Sequence, residues 1–238
     1  MRRMLSRFRE GNRNEELVRS LEGTGAISSP EIINAFSKVD RGFFLEHDDG
    51  DPSDLEEGVA YIDMPMRHGL LHLSAPSIYG MALESLDLDE GQSFLNVGSG
   101  TGYLSSLAAN ILGACSVQFG IELRPELVDH ARAKLDALGH RHVTLVHGDC
   151  FGLDPETSMR FDRIYIGAGA SQHSAALILR FLEVGGVCVG PFMTEPNSQR
   201  ILRIRRVEES RFEVHSVLSV QFTVRVGPLL MSSSLGQG

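Results

Sequence analysis

Residues 94–104, Phe-Leu-Asn-Val-Gly-Ser-Gly-Thr-Gly-Tyr-Leu, run an apolar strand straight into three alternate glycines. A chain leaving a buried strand through Gly98, Gly100 and Gly102 can turn with positive φ and present bare backbone to a ligand. The spacing is G-x-G-x-G. A dinucleotide fingerprint, G-x-G-x-x-G, places its third glycine one residue later and receives a pyrophosphate at the following helix. This turn therefore predicts a strand–turn–helix unit that binds a ligand other than a dinucleotide.

The segments downstream repeat that unit. Strand patterns at 93–97, 117–122, 143–147, 161–166 and 187–190 alternate with helical patterns at 103–112, 124–138 and 174–182. Such alternation predicts βαβ units and an α/β fold, an open twisted sheet that is mostly parallel. Two further alternating segments, 200–207 and 212–226, flank Glu208–Ser210 and predict a C-terminal β-hairpin at the sheet edge. Small N-terminal helices are expected at 15–21 and 30–39, the second with Ser29 as N-cap and Pro30 in its first turn, and another helix at 75–86. The stretch 60–73 has no clear period and reads as a structured loop. At 238 residues the chain suits one domain, 15–228, divided into an N-terminal part (15–90) and a sheet core (91–228). Residues 1–14 are expected to be disordered or loosely helical, and 229–238 to be a flexible tail. The segment 46–58 holds seven acidic residues and reads as a solvated loop, either an inert insertion or a gate over the motif that follows it.

Composition narrows the partners. A formal net charge of −9 with 42% hydrophobic residues disfavours nucleic acid and anionic membranes as partners. No apolar run approaches the roughly 20 residues needed to span a bilayer, and the basic start lacks a signal core, so a cytoplasmic location is expected. Cys115, Cys150 and Cys188 are far apart and form no C-x-x-C pair, which predicts buried free thiols and no metal site.

In an open parallel sheet, ligands sit beyond the carboxyl ends of the strands. Glu122 ends the second strand, where a carboxylate can accept from two ribose hydroxyls. Asp149 follows the third strand and can accept from an adenine amino group, or alternatively cap a turn; Gly148 permits close approach. Gly167 ends the next strand and leaves room for a ligand. The G-x-G-x-G spacing resembles the first motif of S-adenosylmethionine-dependent methyltransferases. By that resemblance the chain has their Rossmann-like fold and holds S-adenosyl-L-methionine, with S-adenosyl-L-homocysteine as product. Its candidate cofactor-binding residues are Asn96, Gly98, Ser99, Gly100, Thr101, Gly102, Glu122, Leu123, Gly148, Asp149, Cys150 and Gly167.

Upstream, residues 68–80 read His-Gly-Leu-Leu-His-Leu-Ser-Ala-Pro-Ser-Ile-Tyr-Gly. Together with Val39-Asp40-Arg41, Phe44, Ala60-Tyr61, Asp63, Pro65 and the glycine motif, this resembles the protein-L-isoaspartate O-methyltransferase family over roughly Glu15 to Pro228. The resemblance implies methylation of the α-carboxylate of isoaspartyl residues in damaged proteins, with isoaspartyl-containing proteins or peptides as partners and a monomeric state. It makes Ser74 the active-site hydroxyl, with His72, Leu73, Ala75, Pro76 and Ser77 on the substrate side. A carboxylate with an ordinary pKa of about 4 is already ionised near neutrality, so the chemistry needs alignment more than a base. From the residues alone, Ser-Ala-Pro before a helix is also an ordinary N-cap arrangement. Two departures stand out: Asn96 replaces the family's aspartate and Ser77 its histidine. Losing one charge-assisted bond costs roughly 1.5–3 kcal/mol in a dry site, so weaker cofactor binding is the expectation. The same motif variants resemble a divergent branch, the isoaspartyl methyltransferase domain-containing proteins. That branch implies the alternative reading, a catalytically weak cofactor-binding adaptor linked to ubiquitin ligases, whose members carry a long extension beyond the point where this chain stops.

Overall fold

A computed structural model of the chain describes residues 2–46, 58–154, 159–168, 170–195 and 198–220. The acidic segment, but for its two end residues, residues 221–226 of the expected hairpin and the tail 229–238 lie outside the described residues. The first helix, α1 (Arg2–Gly23), starts well before the expected Glu15, so residues 2–14 belong to it. Its first turns carry Arg, Met, Leu and Glu, strong helix formers that need no apolar stripe to favour the conformation. Next comes α2 (Pro30–Lys38), with Ser29 at its N-cap position. The Ser29 hydroxyl does not cap that helix; it donates to Glu84 Oε2 at 2.6 Å.

The expected loop at 60–73 is a tight construction instead. A 3-10 turn at Val59–Tyr61 leads to β1 (Met66–His68) and β2 (Leu71–Leu73), an antiparallel pair. Three-residue strands are too short to establish a period, which is why the pattern was silent. From β2 the chain passes Ser74 and enters α3 (Pro76–Leu86).

The core then alternates as expected: β3 (Phe94–Val97), α4 (Tyr103–Leu112), β4 (Gln118–Glu122), α5 (Pro125–Ala137), β5 (Val143–His147) and β6 (Phe161–Ile166). The last helix, α6 (Gln172–Ile178), gives way to a 3-10 turn at Leu179–Phe181, so the expected helix to 182 ends early. β7 (Leu182–Glu195) is much longer than the four residues expected, and β8 (Ser198–Glu208) and β9 (Arg211–Val220) form the hairpin. Gly190 misled as a strand end. A Cβ there would lie 2.7 Å from Ile166 Cβ, so the glycine marks close packing against β6 within the strand.

Seven strands make one sheet in the order β5-β4-β3-β6-β7-β8-β9, parallel from β5 to β7 and antiparallel beyond. The chain builds outward from β3 to β5 and then returns to β3's other side as β6. Strand order reverses there, and the crevice beyond the carboxyl ends of these strands is where such folds bind ligands. Both faces are covered. Phe94, Tyr165, Val187 and Val189 pack with α1 to α4, while Leu95, Val97, Ile164, Ile166 and Cys188 pack with α6. Full burial of each large apolar side chain contributes about 1.5–3 kcal/mol. Of the cysteines only Cys188 is buried; Cys150 is half-buried and Cys115 exposed, so the expectation of three buried thiols fails for two. Cys115 lies in the short turn between α4 and β4, on the surface. Among the described residues no helix is long and apolar enough to cross a membrane.

Candidate active site

The glycine turn folds as its composition requires. Gly98, Gly100 and Gly102 all have positive φ, at 76°, 53° and 86°. Backbone amides of Gly98 and Ser99 donate to the Ile121 carbonyl at 2.8 and 3.1 Å, which locks the turn to the end of β4. Gly102 serves packing: a Cβ there would sit 3.0 Å from Ala131 Cβ on α5. Gly167 does likewise, since its Cβ would meet the Gly98 carbonyl oxygen at 2.7 Å. It fits β6 against the turn, and the residue is exposed at the end of the strand.

Glu122 stands at the end of β4 as expected. Its Oε2 accepts from the Gly100 amide at 3.0 Å and its Oε1 from the Arg124 amide at 3.2 Å, so the carboxylate is oriented by the turn it faces. Leu123 beside it is 65% exposed and Phe151 is 45% exposed. These apolar surfaces flank Asp149, Gly148 and half-buried Cys150 on one rim, a fit for the flat face of a heterocycle. Asp149 Oδ1 accepts from the Phe151 amide at 2.9 Å and caps a 3-10 turn, so the capping alternative is realised with one of its two oxygens.

Asn96 points away from the strand-end rim. It shares the Phe94 face of β3, is 1% exposed, and its Nδ2 donates to Ser105 Oγ on α4 at 2.9 Å. Its Oδ1 is buried without a hydrogen-bond partner, as is the Ser99 hydroxyl in the turn itself. Buried acceptors without partners are costly, so a ligand or water that donates there is favoured. Thr101 is buried in the same turn and accepts from the Tyr103 amide at 3.4 Å.

Ser74 lies between β2 and α3, buried at 9% exposure. It does not cap α3. The N-cap position is Ala75, without a side-chain bond, and the Ser77 amide is satisfied by Asp63 Oδ1 at 2.9 Å. With capping done from another segment, the Ser74 hydroxyl is left for other work. Its carbonyl accepts from Arg41 Nη2 at 3.1 Å and its amide donates to the Tyr79 hydroxyl oxygen at 3.0 Å. Arg41 is fully buried and also donates to the carbonyls of Ala60, Ile62 and Met64. Burial pulls its pKa down, while Tyr103, Tyr79 and Asp63 oppose that pull. A guanidinium with its donors in a fixed fork joins the 60–64 segment to the serine in a way no apolar residue can.

Aromatic packing connects this serine to the glycine turn. Tyr103, the residue after Gly102, is edge-packed by Tyr79 at 5.5 Å, Phe44 at 5.3 Å and Phe36 at 6.3 Å between ring centroids. Each such pair contributes about 0.5–1.5 kcal/mol beyond burial. Leu73 and Pro76 are buried and hold the serine segment down, Ala75 and Ser77 are partly exposed, and His72 is exposed on β2 opposite Arg67. Partial burial and then the Arg67 charge push the His72 pKa down, so it is neutral near pH 7. Sequence reasoning placed Tyr79, Arg41 and Asp63 within motifs without giving them roles. For Arg41 the available signal was the charged pair Asp40-Arg41 between Val39 and the apolar run Phe43 to Leu45.

The chain matches the family model for protein-L-isoaspartate(D-aspartate) O-methyltransferase over residues 12–228. It is 34% identical to the protein-L-isoaspartate O-methyltransferase of Ignicoccus hospitalis over 212 residues, covering 88% of this chain and 95% of that relative. The enzyme of the same name from Methanothermobacter thermautotrophicus is 30% identical, with 89% and 94% covered. The fold is similar to a protein-L-isoaspartate O-methyltransferase crystal structure from Plasmodium falciparum, in complex with S-adenosyl-L-homocysteine. That TM-score is 0.74 at 23% identity, over 88% of this chain and 96% of that one. With its glycine turn, its uncapped serine and a match that spans nearly the whole chain, this protein belongs to the protein-L-isoaspartate(D-aspartate) O-methyltransferase family.

Proposed function

We propose that the protein methylates the α-carboxylate of L-isoaspartyl residues in damaged proteins, using S-adenosyl-L-methionine, as an enzyme of protein repair. The observation that carries this reading is Ser74: a buried serine with both backbone groups fixed and its helix-capping duty taken by Asp63. Bound S-adenosyl-L-methionine supplies an electrophilic methyl group on a sulfonium, and the residues present fit it. Glu122 offers an oriented carboxylate to ribose hydroxyls, Leu123, Gly148, Asp149 and Cys150 form the rim for the base, and Gly98 to Thr101 line the turn. Asn96, tied to Ser105 on α4, keeps a buried Oδ1 as a neutral acceptor where an aspartate would supply a charge.

The chain's own part in the reaction is positional. The substrate carboxylate is anionic at neutral pH, so no base is required. Ser74 donates its hydroxyl hydrogen to one carboxylate oxygen and leaves the other free to attack. Leu73 to Pro76 and the β1–β2 hairpin hold the substrate chain, and the aromatic packing around Tyr103 excludes water. Holding two reactants in line supplies roughly 7–11 kcal/mol of the barrier. The test is to locate the product by mass spectrometry after incubation with an isoaspartyl peptide. One methyl group on the isoaspartyl α-carboxylate, lost as methanol in mild base, is expected; modification at any other group refutes the assignment.

A further inference from the structure

We propose that Tyr79 is a positioning residue for methyl transfer, its phenol oxygen fixing the backbone of Ser74. The inference rests on the functional reading above. The Tyr79 oxygen accepts the Ser74 amide hydrogen at 3.0 Å, while Arg41 grips the Ser74 carbonyl at 3.1 Å from the other side. The peptide groups before and after Ser74 are thereby held, which leaves the hydroxyl torsion as the serine's remaining freedom.

With the peptide groups on both sides fixed, the serine presents its hydroxyl to a carboxylate oxygen from one backbone position. Burial pushes the Tyr79 pKa up, so the phenol stays neutral across the working range and goes on accepting the Ser74 amide hydrogen. Packing alone does not need this hydroxyl. The ring is edge-on to Tyr103 at 5.5 Å, and a phenylalanine would make the same contact. A buried hydroxyl carries a desolvation cost that only a hydrogen bond offsets, and this one is bonded to Ser74.

The test is Tyr79→Phe, which keeps the ring and removes the hydroxyl. With an isoaspartyl peptide, kcat is expected to fall about 3–10-fold. The peptide KM and the cofactor Kd, by titration calorimetry, stay within about twofold of wild type on the same account. Independently of turnover, the Ser74 amide exchanges with deuterium faster in the variant than in the wild type. A variant with wild-type kcat and unchanged exchange at Ser74 overturns the inference. So does a variant whose cofactor affinity falls in step with kcat, since that marks a general distortion. A wild-type protein that leaves isoaspartyl peptides unmethylated overturns the functional reading first, before any variant is compared, and takes this inference with it.

Discussion

At the scale of single residues, Ser74 illustrates how a side chain is released from helix capping. Serine before a proline-led helix ordinarily caps it, and the sequence His-Leu-Ser-Ala-Pro left that reading open. Asp63, eleven residues earlier, bonds the Ser77 amide and removes the ambiguity. No local pattern could have shown this, because the contact depends on how Arg41 folds the 60–64 segment back onto the serine. The glycine turn and Glu122, by contrast, were legible, since their geometry follows from residue type at a strand end. Asn96 was half legible: its motif position was clear, but its orientation toward Ser105 was not. For Ser74→Ala, the account predicts a kcat lower by about 10–100-fold, the worth of one hydrogen bond to a charged group, with cofactor affinity unchanged. Steady-state kinetics beside cofactor titration read both quantities.

At the scale of elements, the helices of the N-terminal part are tied together by a carboxylate. Glu84 on α3 accepts from the Ser28 and Ser29 amides at 2.6 and 2.8 Å and from both serine hydroxyls, at the start of α2. Partial burial pushes its pKa up, but those hydrogen bonds outweigh burial and hold it below its ordinary value of 4.5. A depressed carboxylate stabilises the fold above its unfolded pKa and loses that contribution as pH falls through the folded one. Glu84→Gln is therefore expected to lower Tm by a few degrees at pH 7, with the gap to wild type closing as pH drops below 4.5. A gap that is constant with pH would assign the loss to shape alone. Strand and helix identity in the sheet core could be read from periodicity, whereas the β1–β2 hairpin and the full length of β7 could not. The hairpin strands are too short for a period, and β7 carries Gly186 and Gly190, whose role is close packing.

At the scale of the whole molecule, alternation of strands and helices announced a parallel sheet, but not that β6 would return beside β3. That return creates the crevice, and it depends on which strand edges are left free once β4 and β5 have paired. The aromatic cluster around Tyr103 then packs the glycine-turn side of the crevice against the serine side, so the two motifs, 22 residues apart at Ser74 and Asn96, are brought together in the fold. The central claim concerns which carboxylate is presented to the methyl group, and a matched pair of peptides tests it most directly. The peptides are identical but for isoaspartate or aspartate at one position, and kcat/KM is measured for each at saturating S-adenosyl-L-methionine. Turnover confined to the isoaspartyl member is the predicted result; equal turnover of both, or turnover of the aspartyl peptide alone, would contradict it.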